Sequence, residues 1–295
     1  MLGNATRCAG RSVGPGGRLR RPNRRQPVQI PSSRLPSTPS ADALRIIDTC
    51  ARDLAPESTG LSAWHKDYLA NHRTRIAHDL DIINHQIPKS KSIVEFGSIP
   101  LVLTAALKSC GYQVTGCDIA PGRYASTVEA MGLTVVECNI ETERLPFADE
   151  SFDAAVFNEL FEHLRINPVF TLSEVLRILK PNGILTLSTP NLRSLDGIRN
   201  FLLRDRAFSC ASSIYHEYSK LQTIGHMGHV REYTRTEVVE FLQTIGFAVA
   251  AVLYRGEYEN PLKRALIGVM PGFSPFVTYV ARKPAACARK ATLRT

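Results

Sequence analysis

Glu159, Glu162 and His163 stand at i, i+3 and i+4, so a helix would bring all three to one face. Far downstream, His229 sits in Gly225-His226-Met227-Gly228-His229-Val230-Arg231-Glu232-Tyr233-Thr234. Thr234 followed by Glu237 forms a capping box, so His229 belongs to a loop just before a helix that stops at Gly246. Two carboxylates and two imidazoles suit a divalent ion such as Mg or Mn, which would bind a substrate oxygen and lower its pKa. Without a metal, His163 or His229 has the chemistry of a general base for a hydroxyl. A loop histidine is more often a surface or packing residue, so neither role follows from spacing alone.

A second constellation precedes the first. Ile93 and Val94 open a short apolar strand that ends at Glu95, and Gly97 permits a turn. Pro100 suits a first helical turn, and Leu101, Thr104, Ala105 and Leu107 run at helical spacing to Gly111. Val114–Cys117 then reads as a second strand that ends at Asp118. This is a βαβ half, and parallel sheets bind ligands beyond the carboxyl ends of their strands, where Glu95, Gly97 and Asp118 all fall. Free N–H groups at the turn favour a polar ligand, and a carboxylate roughly 20 residues on can accept both ribose hydroxyls. NAD, FAD and S-adenosylmethionine (SAM) enzymes share these features. The G-x-G-x-x-G pattern itself is missing, because Gly97 is followed by Ser98, Ile99, Pro100 and Leu101.

These residues need a sheet and its helices to hold them, and 295 residues can build one large α/β domain with additions. An apolar content of 44% with 21% charged residues is ordinary for a globular protein. The net charge of +9 is concentrated at the ends. Residues 1–40 hold eight Arg and no acid, and residues 281–295 hold five cations and no acid, which leaves 41–280 at −4. The body therefore offers no general case for a nucleic-acid partner. Seven cysteines without a C-x-x-C pair argue for a reducing compartment, here the cytoplasm. No stretch reaches the ~18–20 apolar residues of a membrane span.

Along the chain, 1–40 reads as a disordered basic tail, with an organelle transit peptide or a misassigned start as alternatives. Residues 41–89 read as two helices that cap the ligand site, with Trp64, His65 and Tyr68 within reach of ligand or core. Further strands are expected at 134–137, 154–157, 184–188, 247–254 and 276–281, with helices at 124–131 and 168–179. Residues 190–235 form a lid insertion carrying Phe201, Tyr215, His216 and Tyr218, and 283–295 form a second basic tail. Pro261–Phe273 carries Leu262, Leu266, Ile267, Val269 and Met270. Packing against the lid is the reading preferred there over an amphipathic hairpin that touches a membrane.

Five elements in order carry a resemblance: Val94-Glu95-Phe96-Gly97; Gly116-Cys117-Asp118; Leu145-Pro146-Phe147 with Ser151-Phe152-Asp153; Glu162-His163-Leu164; and Leu179-Lys180-Pro181-Asn182-Gly183. Over roughly 90–255 the chain resembles the class I SAM-dependent methyltransferases, the broad group with small-molecule members. The resemblance implies a Rossmann-like, seven-stranded and mostly parallel sheet with helices on both faces and the last strand antiparallel. The methyltransferase domain would then span 90–282. It further implies that Glu95 and Gly97 lie beside the methionine part of SAM and that Asp118 takes the ribose hydroxyls. Asn139 and Ile140 would flank the adenine, and Asn158 would stand nearest the transferred methyl. Ile99 and Leu101 occupy places where the family usually carries glycine; Pro100 could still make the turn and send the larger side chains inward. The Glu159, Glu162, His163 and His229 set resembles the metal site of small-RNA 2′-O-methyltransferases, and part of it recurs in O-methyltransferases of ubiquinone biosynthesis.

The function expected is methyl transfer to a small or carrier-linked acceptor, most readily at oxygen. An RNA 2′-O-methyltransferase-like metal-assisted enzyme and a non-catalytic binding module of the same fold are the alternatives. The sequence leaves the oligomeric state open.

Overall fold

The computed structural model describes residues 30–211, 213–223 and 228–285. Its centre is an eight-stranded sheet of order β1-β7-β8-β6-β5-β2-β3-β4. The strands are β1 (Ser32–Arg34), β2 (Ser92–Phe96), β3 (Gln113–Asp118), β4 (Thr134–Glu137), β5 (Phe152–Asn158), β6 (Leu179–Pro190), β7 (Ala248–Arg255) and β8 (Phe276–Arg282). All neighbours run parallel except β8, which is antiparallel to both β6 and β7. The helices are α1 (Ala41–Arg52), α2 (Thr59–Gln86), α3 (Val102–Ser109), α4 (Ala125–Ala130), α5 (Pro168–Ile178), α6 (Leu195–Arg204), α7 (Ile214–Thr223), α8 (Arg235–Ile245) and α9 (Pro261–Val269).

Central parallel strands are buried on both faces and so read as apolar runs rather than alternations. Ile93 and Val94 of β2, and Ala154, Ala155, Val156 and Phe157 of β5, are at most 1% exposed. One face buries Ile93, Val156 and Ile184 under Ile47, Ile76, Leu80, Ile83 and Leu107 from α1, α2 and α3. The other buries Val94, Leu185 and Tyr279 under Leu172 and Val175 of α5 and Val238 and Leu242 of α8. Each fully buried Leu, Ile or Val contributes on the order of 1.5–3 kcal/mol, so the two layers lock the sheet that presents the site.

The expected capping box forms at α8: the Thr234 side chain accepts from Glu237 N, and Glu237 accepts from the Thr234 backbone N–H. The strand count is corrected from seven to eight. Residues 30–40, read from sequence within a disordered tail, supply the extra strand: Ser32, Ser33 and Arg34 pair with Val252, Leu253 and Tyr254 of β7, and Arg34 ion-pairs with Glu257. A Ser-Ser-Arg strand has no apolar alternation to detect. What recruits it is the open row of backbone groups on β7, an edge that needs covering. The second basic tail also begins later than expected, because Lys283 is buried and donates to Leu179 O at 2.6 Å. The rest of the two tail readings, residues 1–29 and 286–295, lies outside the described residues. Leu262, Leu266, Val269 and Met270, expected to pack against the lid, are exposed, and only Ile267 of that set is buried.

Candidate active site

Turn geometry after β2 shapes the first half of the site. Gly97 has φ 66°, and a Cβ there would meet Leu160 Cδ1 at 3.3 Å. Helix α3 starts at Val102, two residues later than Pro100 would place it, with Leu101 as its N-cap at φ 72°. Leu101 is fully buried and Ile99 packs against the same apolar layer, so the two bulky residues do turn inward. The Asp118 carboxylate closes the turn from the next strand: Oδ2 accepts from Ile99 N at 3.1 Å and Oδ1 from Ala120 N at 3.0 Å. Each oxygen keeps a lone pair for a ligand hydroxyl. Gly116 allows this closeness, since a Cβ there would lie 2.8 Å from Ser98 Oγ.

A recess opens beside this turn, lined among others by Tyr68, Arg75, Asp79, Gly97, Asn158 and Glu159. Glu95 lines it from below, accepting a hydrogen bond from Thr104 Oγ1. Burial drives its pKa up to about 8, against the Thr104 hydrogen bond and with help from Asp79 and Asp118. The Oγ of Ser98 and Oδ1 of Asn158 are buried without a hydrogen-bond partner among the described residues. Unsatisfied buried polar atoms call for a ligand or water, and both residues line the recess. Asn139 and Ile140 follow β4 at the same edge: Asn139 Oδ1 accepts from Glu141 N at 3.1 Å, and Ile140 packs on the core below.

Glu159 does not point where helical spacing would send it. It has φ 51° and leads into a short 3-10 turn, Phe161–His163, rather than an α-helix. Its carboxylate accepts from Arg255 Nη2 at 2.7 Å and Ser188 Oγ at 2.9 Å, with Arg75 Nη1 at 3.4 Å. Burial alone would raise its pKa; the two arginines outweigh that and hold it below the usual carboxylate value.

Glu162, His163 and His229 do come together, with one ligand-capable atom from each lying within 4.8 Å of the others. Both Glu162 oxygens are buried with no hydrogen-bond partner among the described residues, and His229 Nε2 is 4.0 Å from Oε1. Burial first, and the Glu159 charge second, push the Glu162 pKa up to about 8. His163 Nδ1 lies 3.0 Å from Gly228 O, and the two imidazoles meet edge to face at 5.0 Å. His229 Nδ1 is 3.0 Å from Glu232 Oε1, so with Nδ1–H donating, the lone pair sits on Nε2. Burial would lower the His229 pKa, but the Glu232 hydrogen bond and the charges of Glu162, Glu232 and Glu217 outweigh it and raise it. Glu232 also collects Ser209 N and Oγ, Cys210 N and Ala211 N, which ties the loop before α7 to the imidazole.

Comparison with known proteins bears on this geometry. Residues 94–187 match the family described as "Methyltransferase domain". The span runs from the Gly97 turn through Asn158 to the end of the β6 core. Residues 94–187 are thus similar to a methyltransferase domain. A ubiquinone biosynthesis O-methyltransferase from Cereibacter sphaeroides is 32% identical over 93 residues, 30% of this chain and 37% of the relative. The chain thus spans well under half the length of the curated relative it matches. Among solved structures, a SAM-dependent methyltransferase from Thermotoga maritima aligns at TM-score 0.51 with 19% identity, covering 76% of this chain and 96% of its own. A methyltransferase from Haloferax volcanii, solved with the Trm112 activator, aligns at TM-score 0.51 with 17% identity, covering 81% and 97%. These two likenesses speak to the fold.

Around the site but outside the matched span, the sequence pattern missed Arg75, Asp79, Arg255 and Glu232. Arg75 and Asp79 share one face of α2 at i, i+4, the one available signal. Arg255 ends a strand whose pattern is apolar, and nothing local marks it as the partner of Glu159. His65, considered as a ligand contact, is instead buried against Tyr124, its Nδ1 2.8 Å from the hydroxyl. Tyr68 does line the recess and accepts from Arg75 Nη2 at 2.9 Å. No helix among the described residues is long and apolar enough to cross a membrane.

Proposed function

We propose that the protein binds SAM in the recess between the Gly97 turn, Asp118 and Asn158, and methylates an oxygen of a small or carrier-linked acceptor. The observation that carries this reading is adjacency. Asn158 ends β5 with an Oδ1 that has no hydrogen-bond partner among the described residues, and the Glu162, His163 and His229 cluster begins four residues later. Bound SAM would supply the methyl group as a sulfonium substituent that needs little activation. The chain's own residues then position and deprotonate. The amide groups of the turn and the Asp118 carboxylate would hold the ribose end, and Arg75 and Glu95 flank the amino-acid end. Asn139 and Ile140 border the adenine side. Holding donor and acceptor in line is itself the largest contribution such a site can make. His229, oriented by Glu232, would accept the acceptor's hydroxyl proton at Nε2. The O-methyltransferase relative supports oxygen as the acceptor atom only loosely, through the 93 shared residues.

Calorimetric titration with SAM and S-adenosylhomocysteine tests the first half of the proposal. Micromolar binding that Asp118→Ala removes supports it; folded protein that binds neither ligand overturns it and favours a non-catalytic module. A screen of hydroxyl-bearing acceptors, read by release of S-adenosylhomocysteine, tests the second half.

A metal-assisted reading is favoured by one observation: the two Glu162 oxygens are buried beside two imidazoles with no hydrogen-bond partner among the described residues. Glu162, His163 and His229 would hold a divalent ion able to lower the pKa of an acceptor oxygen. Glu159, engaged by Arg255, would remain outside that set. Turnover that survives exhaustive chelation unchanged would sink this reading.

A further inference from the structure

We infer that α6 and α9 together form a face that docks on an anionic lipid bilayer. On α9, Ile267 is fully buried and roots the helix, while Leu262 is 80% and Val269 84% exposed, with Leu266 and Met270 also exposed. On α6, Phe201, Leu202 and Leu203 are 62%, 71% and 78% exposed. The starts of the two helices are tied together: Lys263 Nζ pairs with Asp196 Oδ1 at 2.6 Å, and Leu195 N donates to the hydroxyl of Tyr258, just before α9, at 3.0 Å. Lone exposed apolar residues are ordinary on a protein surface, but a cluster of this size is not.

Charge identifies the occupant. Residues 195–206 and 261–270 carry Arg199, Arg204, Arg206, Lys263 and Arg264 against only Asp196 and Asp205. Asp196 is itself engaged by Lys263 and Arg199. This local excess of positive charge sits in a body, 41–280, that is −4. Exposed apolar side chains, in a stripe on α9 and at the end of α6, with cations among them suit the boundary between acyl chains and anionic headgroups. A second copy of the chain would bring the same cations face to face, which disfavours self-pairing. The inference stands apart from methyl transfer, since it needs neither SAM nor an acceptor.

Flotation of the full chain, without SAM, on phosphatidylcholine vesicles with and without 30% phosphatidylglycerol provides the test. Binding should favour the anionic vesicles at least tenfold and weaken with salt. Leu262→Ser/Val269→Ser, Phe201→Ser/Leu202→Ser and Arg204→Glu/Arg264→Glu should each reduce it by about tenfold or more. All six positions except Arg264 and Arg204 are apolar and every one is exposed, so circular dichroism melts should stay near wild type. No binding to anionic vesicles, or binding that all three variants leave unchanged, overturns the inference. So does a concentration-dependent dimer that the two apolar variants dissociate.

Discussion

Arg255 Nη2 lies 2.7 Å from Glu159 Oε1, joining the last residue of β7 to the residue after β5 across two intervening strands. Both side chains are buried, and Arg255 adds a 3.0 Å bond from Nε to Thr278 Oγ1. The pair holds Glu159 away from Glu162, so the two carboxylates three residues apart in sequence have opposite characters. Glu159 is stabilised as an anion. Glu162 is not.

Removing Arg255 leaves the buried Glu159 carboxylate facing the more distant Arg75 at 3.4 Å, short of the compensation its burial needs. Arg255→Met should therefore destabilise the fold by about 3–5 kcal/mol, read by urea unfolding. Adding Glu159→Gln to that variant should recover part of the loss, because the under-compensated carboxylate is gone. A double variant as unstable as Arg255→Met alone would mean that the arginine's packing, not its charge, is what matters.

Cofactor binding should depend on the closeness of Gly116 to Ser98. Gly116→Ala places a methyl group 2.8 Å from Ser98 Oγ, which must push the turn that Asp118 holds. Titration with S-adenosylhomocysteine should show affinity down by about tenfold or more, a cost of ~1.4 kcal/mol. Gly111→Ala, whose Cβ meets nothing within 4 Å although φ is 88°, serves as the control: it should cost stability but leave affinity unchanged.

His229→Ala should lower kcat on an oxygen acceptor by about 10²–10⁴ while leaving the Kd of S-adenosylhomocysteine near wild type. Glu232→Gln keeps a hydrogen-bond acceptor toward Nδ1 but removes the charge, so its loss of kcat should be smaller. Equal loss of cofactor affinity in both variants would instead assign the pair a structural role in the lid.

Asp153 links the start of three strands. It accepts from Ser92 N at 3.1 Å, Ser92 Oγ at 2.8 Å and Lys180 Nζ at 3.0 Å, and Lys91 is 3.3 Å away. Burial opposes ionisation, but these partners outweigh it and hold the carboxyl well below its ordinary 3.8. A depressed folded-state pKa stabilises the native state above the unfolded value, and that stability fades as pH falls below about 3.8 toward the folded pKa. Asp153→Asn should cost about 2 kcal/mol at pH 7, as for charge-assisted hydrogen bonds, and progressively less below pH 3.8. A stability gap that does not shrink in acid would contradict this assignment.

Much of the architecture was legible because it rests on local or periodic signals. Apolar runs marked β2, β5 and β6; Gly97 marked the turn; Thr234 and Glu237 marked the start of α8. Asp118 and Asn158 could be placed because a residue at the carboxyl end of a parallel strand has only one region to face. The tertiary structure decided what depends on partners far apart in the chain. Ser32–Arg34 becomes a strand only because β7 offers an open edge, and Glu232 meets His229 only because the loop at 209–211 donates its N–H groups to it. Glu159 shows the limit most clearly. Spacing placed it on one helical face with Glu162 and His163, but a left-handed residue followed by a 3-10 turn breaks that periodicity. Its direction is then set by Arg75 from α2 and Arg255 from β7, whose charges stabilise its anion. Spacing describes the backbone's period, whereas the pairing of buried charges is a property of the assembled fold.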